Sequence, residues 1–408
     1  MAISRRGLLG TAAATSILPA VRAKAQKSTF KIGVLTDMSG VGRDATGPTD
    51  VACVHQAVEE FGPAVRGFNA EVISADHQQK ANIGLSIARE WFDHQDVDVI
   101  IGLPNSGIAL AVQALTKEKN KVNIITDAGS SRITGDQCSP NGLHWTYDTY
   151  MLARSTGRSL VERGGSSWYF ITADYAFGQQ LQKDTTAFIE AAGGKVLGAS
   201  SHPFPGTTDF LQLLLKAQMS GAKILGLANS VTDTQNCIKQ AAEFGITPKI
   251  KIAALLMFIT DVHAIGLEVA QGLVLTESFY WNLNDRSRAF TKRILPKTPT
   301  NYPNMQHAGC YSGTLHYLKA VADLGAAAAK ADGRAGVERM KAMPVDDDCF
   351  GATTIRVDGR VLVTANLFEV KKPSESNREW DVYKLLVSTP GEKAFRPLAE
   401  GQCPFVKV

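Results

Sequence analysis

The stretch Val97-Asp98-Val99-Ile100-Ile101-Gly102-Leu103-Pro104-Asn105-Ser106-Gly107 decides the reading of the fold. A short, largely apolar run that ends on glycine is the mark of a strand covered on both faces. Small and polar residues follow it, and the pattern then turns helical at Gly107. Upstream, Phe30–Thr36 reads as a strand and Thr49–Phe61 as a helix, with Val51, Val54, Val58 and Phe61 on one face. Ala70–Ala75 is the next strand, and Ala81–Asp93 a helix with Ile83, Ile87 and Trp91 at four-residue spacing. Downstream come a helix over Gly107–Glu118 and a strand over Lys121–Thr126. Strand and helix alternate throughout, which specifies a parallel sheet with right-handed crossovers.

The alternation then restarts. Tyr150–Arg163 is predicted helical, Trp168–Thr172 a strand, Gly178–Ala192 a helix and Lys195–Ser200 a strand. Helix Phe210–Met219, strand Ala222–Ala228, helix Thr234–Phe244 and strand Lys249–Ala254 continue it, and Gly272–Glu277 adds another strand. The final third differs. Asn304–Ala329 reads as one long helix and Val337–Ala342 as a short one. Thr353–Val357 and Arg360–Val370 flank Asp358-Gly359 and read as a β-hairpin. Lys371–Glu379 is loop-like, and Trp380–Val387 is a last strand. The fold class expected is α/β, with two doubly wound lobes of parallel sheet joined by a multi-segment hinge. The helices after position 300 return to the first lobe and the closing strands to the second.

Residues 1–25 have the order of an export signal: Arg5-Arg6, an apolar-leaning run from Leu8 to Val21, then Ala23-Lys24-Ala25. The run is too short and too diluted to span a bilayer. Ser4 before the arginine pair and Leu8-Leu9 after it favour the twin-arginine type, hence a periplasmic destination. The whole chain carries a net charge of +4, and Arg5, Arg6, Arg22 and Lys24 supply all of it. A mature chain without net charge has no field for nucleic acid or an anionic membrane surface. About 380 residues also exceed what one hydrophobic core supports. The six cysteines show no metal-ligand spacing. Cys138 and Cys403 both sit in short polar segments ahead of a proline and form the first candidate disulfide, with Cys349 an equal rival partner.

Ligands of open α/β sheets bind at the C-terminal ends of the strands. In the first lobe those ends are Leu103–Gly107 and Asp127–Ser131. Their hydroxyls and free N–H groups at two helix starts suit an anion. The competing reading makes Ser106 and Ser130 simple helix caps. In the second lobe the ends are Thr172–Gly178 and Leu227–Asp233, with Leu255–Ile259 after a third strand. Tyr175, Phe177 and Phe258 are candidate walls there, and Asn229 a polar contact. Enzymatic motifs are missing: the sequence holds no G-x-x-x-x-G-K-[ST], no H-E-x-x-H and no G-x-S-x-G at Ser106. Gly40–Ala45 matches only a loose dinucleotide pattern and sits too far from its strand. No catalytic residue, metal or cofactor is expected.

Phe30–Gly40, Ile100–Ser106, Gly129-Ser130-Ser131, Tyr175-Ala176-Phe177-Gly178 and Lys239–Gly245 together resemble the branched-chain amino-acid binding type of ABC-transporter periplasmic proteins. The resemblance runs over nearly all of the mature chain. It implies a type I periplasmic binding fold, with a small-molecule carboxylate as ligand and a membrane permease as partner, and a monomer without membrane insertion. It also implies that Ser106 and the backbone and hydroxyls at Ala128 and Ser130 hold the carboxylate while Tyr175 closes from the second lobe; Gly129 and Ser131 are candidates beside them. Asp233 and Asp261 are the candidates for pairing a ligand amino group. The apolar strand end with Phe258 leans toward aromatic acids. The expected division is 28–147 plus 281–350 for the first lobe, 148–280 plus 351–390 for the second, and 391–408 as a tail near the hinge. A ligand sensor of the same fold, acting on a signalling partner, is the alternative function.

Overall fold

The computed structural model describes residues 27–247, 249–298 and 301–407; the export-signal expectation lies outside them. The first lobe opens with β1 (Thr29–Thr36), α1 (Gly47–Phe61), β2 (Asn69–Asp76), α2 (Ala81–His94), β3 (Val99–Gly102), α3 (Ser106–Lys119), β4 (Val122–Ile125) and β5 (Gly142–His144). Its sheet runs β2-β1-β3-β4-β5, parallel throughout. The apolar run that opened the sequence reading is split between two core layers. Val99 and Ile101 pack with Phe30, Ile32 and Val34, and Ile100 packs with Leu35, Trp91 and Ile108. Gly33 shows why the strand is bare at that point: a Cβ there would lie 2.4 Å from the Trp91 ring.

The chain crosses to the second lobe at 145–148. There α4 (Thr149–Leu152) continues through a π turn at Ala153–Gly157 into α5 (Arg158–Glu162). Next come β6 (Ser167–Ala173), α6 (Ala176–Ala191), β7 (Lys195–His202), α7 (Leu211–Met219), β8 (Ile224–Ala228), α8 (Val231–Glu243), β9 (Lys251–Ala254), α9 (Ile259–Ile265), α10 (Leu267–Ala270) and β10 (Val274–Glu277). The second sheet is β7-β6-β8-β9, again parallel.

After a second crossing, α11 (Asp285–Ile294) and α12 (Met305–Leu324) return to the first lobe, where α12 packs against α1. The long helix expected to reach Ala329 stops at Leu324, because Gly325 turns left-handed at φ 83° and a separate α13 (Ala326–Ala331) begins. Then follow α14 (Gly333–Ala342), β11 (Val345–Asp347) and β12 (Gly351–Thr353), the two strands pairing antiparallel.

The hairpin expectation is only partly met. Asp358-Gly359 does turn, but Ile355 and Val361 share a single bridge. β13 (Ala365–Val370) pairs instead with β10 and with β14 (Tyr383–Thr389). Residues 351–361, expected with the second lobe, lie partly along β5. The His144 N–H donates to the Gly359 carbonyl, and the Val361 N–H to that of His144. Arg360 is fully buried beside this crossing, its guanidinium donating to the carbonyls of Thr146 and Tyr147 and lying over the Phe395 ring. The tail then folds back on the first lobe, where Cys403 is bonded to Cys138 and Arg396 donates to the Ser131 carbonyl. Cys349 is a free, buried thiol. Among the described residues no helix is long and apolar enough to cross a membrane.

Candidate functional site

The C-terminal strand ends of the two lobes face each other across a narrow, nearly closed space. Gly42, Thr46, Gln79 and Pro104 line it from the first lobe. The loop carrying Gly42 is stiff: the Gly40 and Gly42 N–H groups both donate to Asp37, and so does the Gln79 amide. Gln79 in turn accepts from Asn105.

Asn105, not Ser106, is the cap of α3, its side-chain oxygen accepting from the N–H groups of Gly107 and Ile108. That leaves Ser106, the first residue of the helix, free for another task. Its hydroxyl oxygen accepts from the Ser130 N–H at 3.2 Å and so joins the two loops expected to act together. The second loop opens only a short 3-10 turn, Ser131–Thr134, and it therefore offers fewer free N–H groups than a full helix start. The Ser130 hydroxyl is buried and has no protein partner. Ser131 is committed elsewhere: it donates to Asp184 of α6, which also accepts from Thr149. The Ala128 carbonyl accepts from His144 Nε2. Gly129 marks a close approach of the lobes, since a Cβ there would meet Phe177 at 2.8 Å, besides meeting Tyr147 of its own lobe at 2.5 Å.

From the second lobe the space is walled by Tyr175, Phe177, Phe204, Leu256 and Phe258, with Ser230 and Val231 between them. Tyr175 stacks on Phe204 with centroids 4.3 Å apart, and its hydroxyl lies 3.3 Å from that of Ser230. Val231 holds φ at 47°, a costly conformation for a β-branched residue, in the loop that faces the space. Asn229 does not line it; its side chain bonds Thr234 and Cys237. Asp233 is buried 3.7 Å from His202, and burial pushes its carboxyl up to about 7. Asp261, in the first turn of α9, is occupied in capping that helix, accepting from the N–H of the cap residue Phe258 and from Gln235.

The side of the space nearest the crossings belongs to two residues that the sequence did not single out, Tyr147 and Gln306. Both donate to the Asp127 carbonyl, at 2.5 and 2.8 Å. Beneath them lie the carboxylates of Asp50 and Asp127 and the Cys310 thiol, with their ligating atoms within 4.8 Å of one another. Two carboxylates that close in a dry site cannot both ionise. Burial pushes Asp127 up to about 7 and Asp50 well above the carboxylate range, so the pair holds a proton.

Two parallel-sheet lobes, three crossings and a lined space between opposed strand ends define a two-lobed ligand trap. A family model described as periplasmic binding protein matches residues 29–377, and the chain belongs to that family, one of binding proteins of the periplasm. It is similar in structure to a periplasmic binding protein from Burkholderia mallei, with 46% identity, 93% of this chain and 100% of that one covered, and a TM-score of 0.89. A branched-chain amino-acid ABC transporter periplasmic ligand-binding protein from Burkholderia xenovorans is 36% identical over 92% of this chain and 99% of that one, with a TM-score of 0.81. An ABC-transporter solute-binding protein from R. palustris, in complex with benzoate, shares the fold at 19% identity, with 88% and 96% covered and a TM-score of 0.79. No curated protein sequence matches significantly.

Proposed function

We propose that the protein captures a small carboxylate, an aromatic acid or a branched-chain amino acid, and delivers it to the membrane permease of an ABC transporter. It works as a monomer after export by the twin-arginine route. The observation that carries the reading is the asymmetry of the space: Gly42, Thr46, Gln79 and Pro104 on one side and an aromatic wall on the other, with the unpartnered Ser130 hydroxyl buried behind the first-lobe lining and not part of it. A carboxylate taken from water needs several donors at once. With the Ser130 N–H already spent on Ser106, the donors we assign to it are the Ser106 and Ser130 hydroxyls, without a cationic side chain. The name of the Burkholderia xenovorans relative supports the transporter assignment. We assign the lobes to 28–147 plus 281–361 and to 148–280 plus 362–390, with 391–408 as a tail on the first lobe.

A thermal-shift panel of benzoates, branched-chain amino acids and short dicarboxylates tests the reading. A true ligand at a hundredfold its Kd stabilises by about 2.7 kcal/mol. A panel without any shift, followed by a shift from a neutral sugar or a cation, overturns it.

A further inference from the structure

We infer that Gln306 reads a neutral hydrogen-bond donor, a hydroxyl or amide N–H, carried by the bound carboxylate; the inference rests on the ligand reading above. Gln306 is the second residue of α12, at the point where the chain has returned to the first lobe. It is 3% exposed and lines the space between the lobes. Its amide nitrogen donates to the Asp127 carbonyl at 2.8 Å and to the Tyr147 hydroxyl oxygen at 3.3 Å. The Tyr147 hydroxyl spends its own proton on that same carbonyl. These contacts set the amide's orientation, because a flipped side chain would bring its oxygen against the Asp127 carbonyl.

The amide oxygen is then left buried, with no protein partner. A buried acceptor is satisfied in nearly every folded protein, by a protein group, a water or a ligand. Here it borders the space where the ligand is proposed to sit. A site built to receive a donor discriminates strongly against an analogue that lacks one, because the acceptor is then stranded.

The donor is neutral rather than cationic. An ammonium taken out of water needs a carboxylate, and no carboxylate is among the described residues that line the space. Asp261 is engaged in capping α9, and Asp233 lies outside the lining. The ring-bearing wall of Tyr175, Phe177 and Phe258 offers apolar surface to the body of a hydroxylated aromatic acid.

The test is calorimetric titration of the full mature chain with matched probes. Para- and meta-hydroxybenzoate are each compared with the fluorobenzoate of the same position, and leucine with isocaproate, which lacks the ammonium. Both the natural protein and Gln306→Leu are titrated. The natural protein is expected to prefer at least one hydroxybenzoate over its fluoro partner by about tenfold or more, and the variant by less than about threefold. A merely structural lesion weakens both members of a pair equally and leaves their ratio alone. Should Gln306→Leu fail to fold, Gln306→Asn carries the same ratio. Equal binding within the hydroxyl pairs, a ratio that survives the substitution, or leucine bound tenfold tighter than isocaproate overturns the inference. Silence from every carboxylate overturns the ligand reading as well, so the two failures are distinguishable.

Discussion

On the first lobe the strand ends carry small residues: Gly42 and Thr46 at the mouth, with Ser106 bonded to the Ser130 N–H behind them. On the second lobe the corresponding ends carry rings, Tyr175 stacked on Phe204 and Phe258 packed edge-on against Tyr147. Both faces sit at strand-to-helix turns of parallel sheets, so the architecture is shared and the chemistry is not. In the function proposed above, one face holds charge through hydroxyls and backbone, and the other removes apolar surface from water. A cleft divided in this way separates what a ligand must have at one end from what its body must be.

The largest expected effect comes where the faces meet. Gly129→Ala places a methyl group between Tyr147 and Phe177, and overpacking at that contact costs closure about 3 kcal/mol, or about 150-fold in affinity. The free protein should melt lower as well, because Tyr147 lies in the same lobe as Gly129, and a fall in affinity under threefold would show that the faces need not approach this closely. Tyr175→Ala opens the aromatic wall and removes its stacking on Phe204. About 2 kcal/mol of affinity, roughly 30-fold, should go, with aromatic bodies losing more than aliphatic ones. Ser106→Ala removes the acceptor of the Ser130 N–H and should weaken every carboxylate by about tenfold, whatever its body. A Ser106→Ala variant that changed body preference, or a Tyr175→Ala variant that lost the need for a carboxylate, would erase the division between the faces.

The smallest effect concerns Glu277, at the end of β10. It accepts from Tyr383, from the Ile259 N–H and, across the lobes, from the Met305 N–H. Burial raises its carboxyl to about 8 despite those donors. The native state then keeps a proton that the unfolded chain releases near 4.5, so stability falls as pH rises from about 4.5 to 8. His77 and His307, lowered by burial to about 4 and 3, act in the opposite sense, and their contribution is complete by about 6.5. Between pH 7 and 8 Asp50, Asp127 and Asp233, also raised by burial, act in the same sense as Glu277, so the difference between the natural protein and Glu277→Gln isolates it. Its share of the slope approaches at most about 1.4 kcal/mol per pH unit. Melting of Glu277→Gln should lose that share, and an unchanged slope would place the proton elsewhere.

The two faces also differ in how far the sequence revealed them. β3 and β4 were readable because burial on both faces leaves an apolar run, and the loops after them follow from the strand ends. Tyr147 and Gln306 were not. β5 is only three residues long, too short for a periodic signal, and Gln306 reaches the site because α12 returns from the far end of the chain. Asn304, whose side chain caps α12, was the one local cue to that helix start. Ser106 was read as ligand group or cap, and the structure gives the cap to Asn105 next to it. Gly325 was visible, but the apolar pattern runs through it and hid the break. Asp358-Gly359 was a sound turn signal, while β13 pairs with β14, the next strand, and with β10, far away in the sequence.

The central claim is that the polar face holds a carboxylate and the aromatic face holds its body. Calorimetric titration of a tight-binding acid beside its own methyl ester tests it most directly, since the two share a body and differ in charge. The account predicts that the ester binds at least about a hundredfold more weakly, having lost the charge-assisted hydrogen bonds at the Ser106–Ser130 loops. An ester bound as tightly as its acid would contradict it.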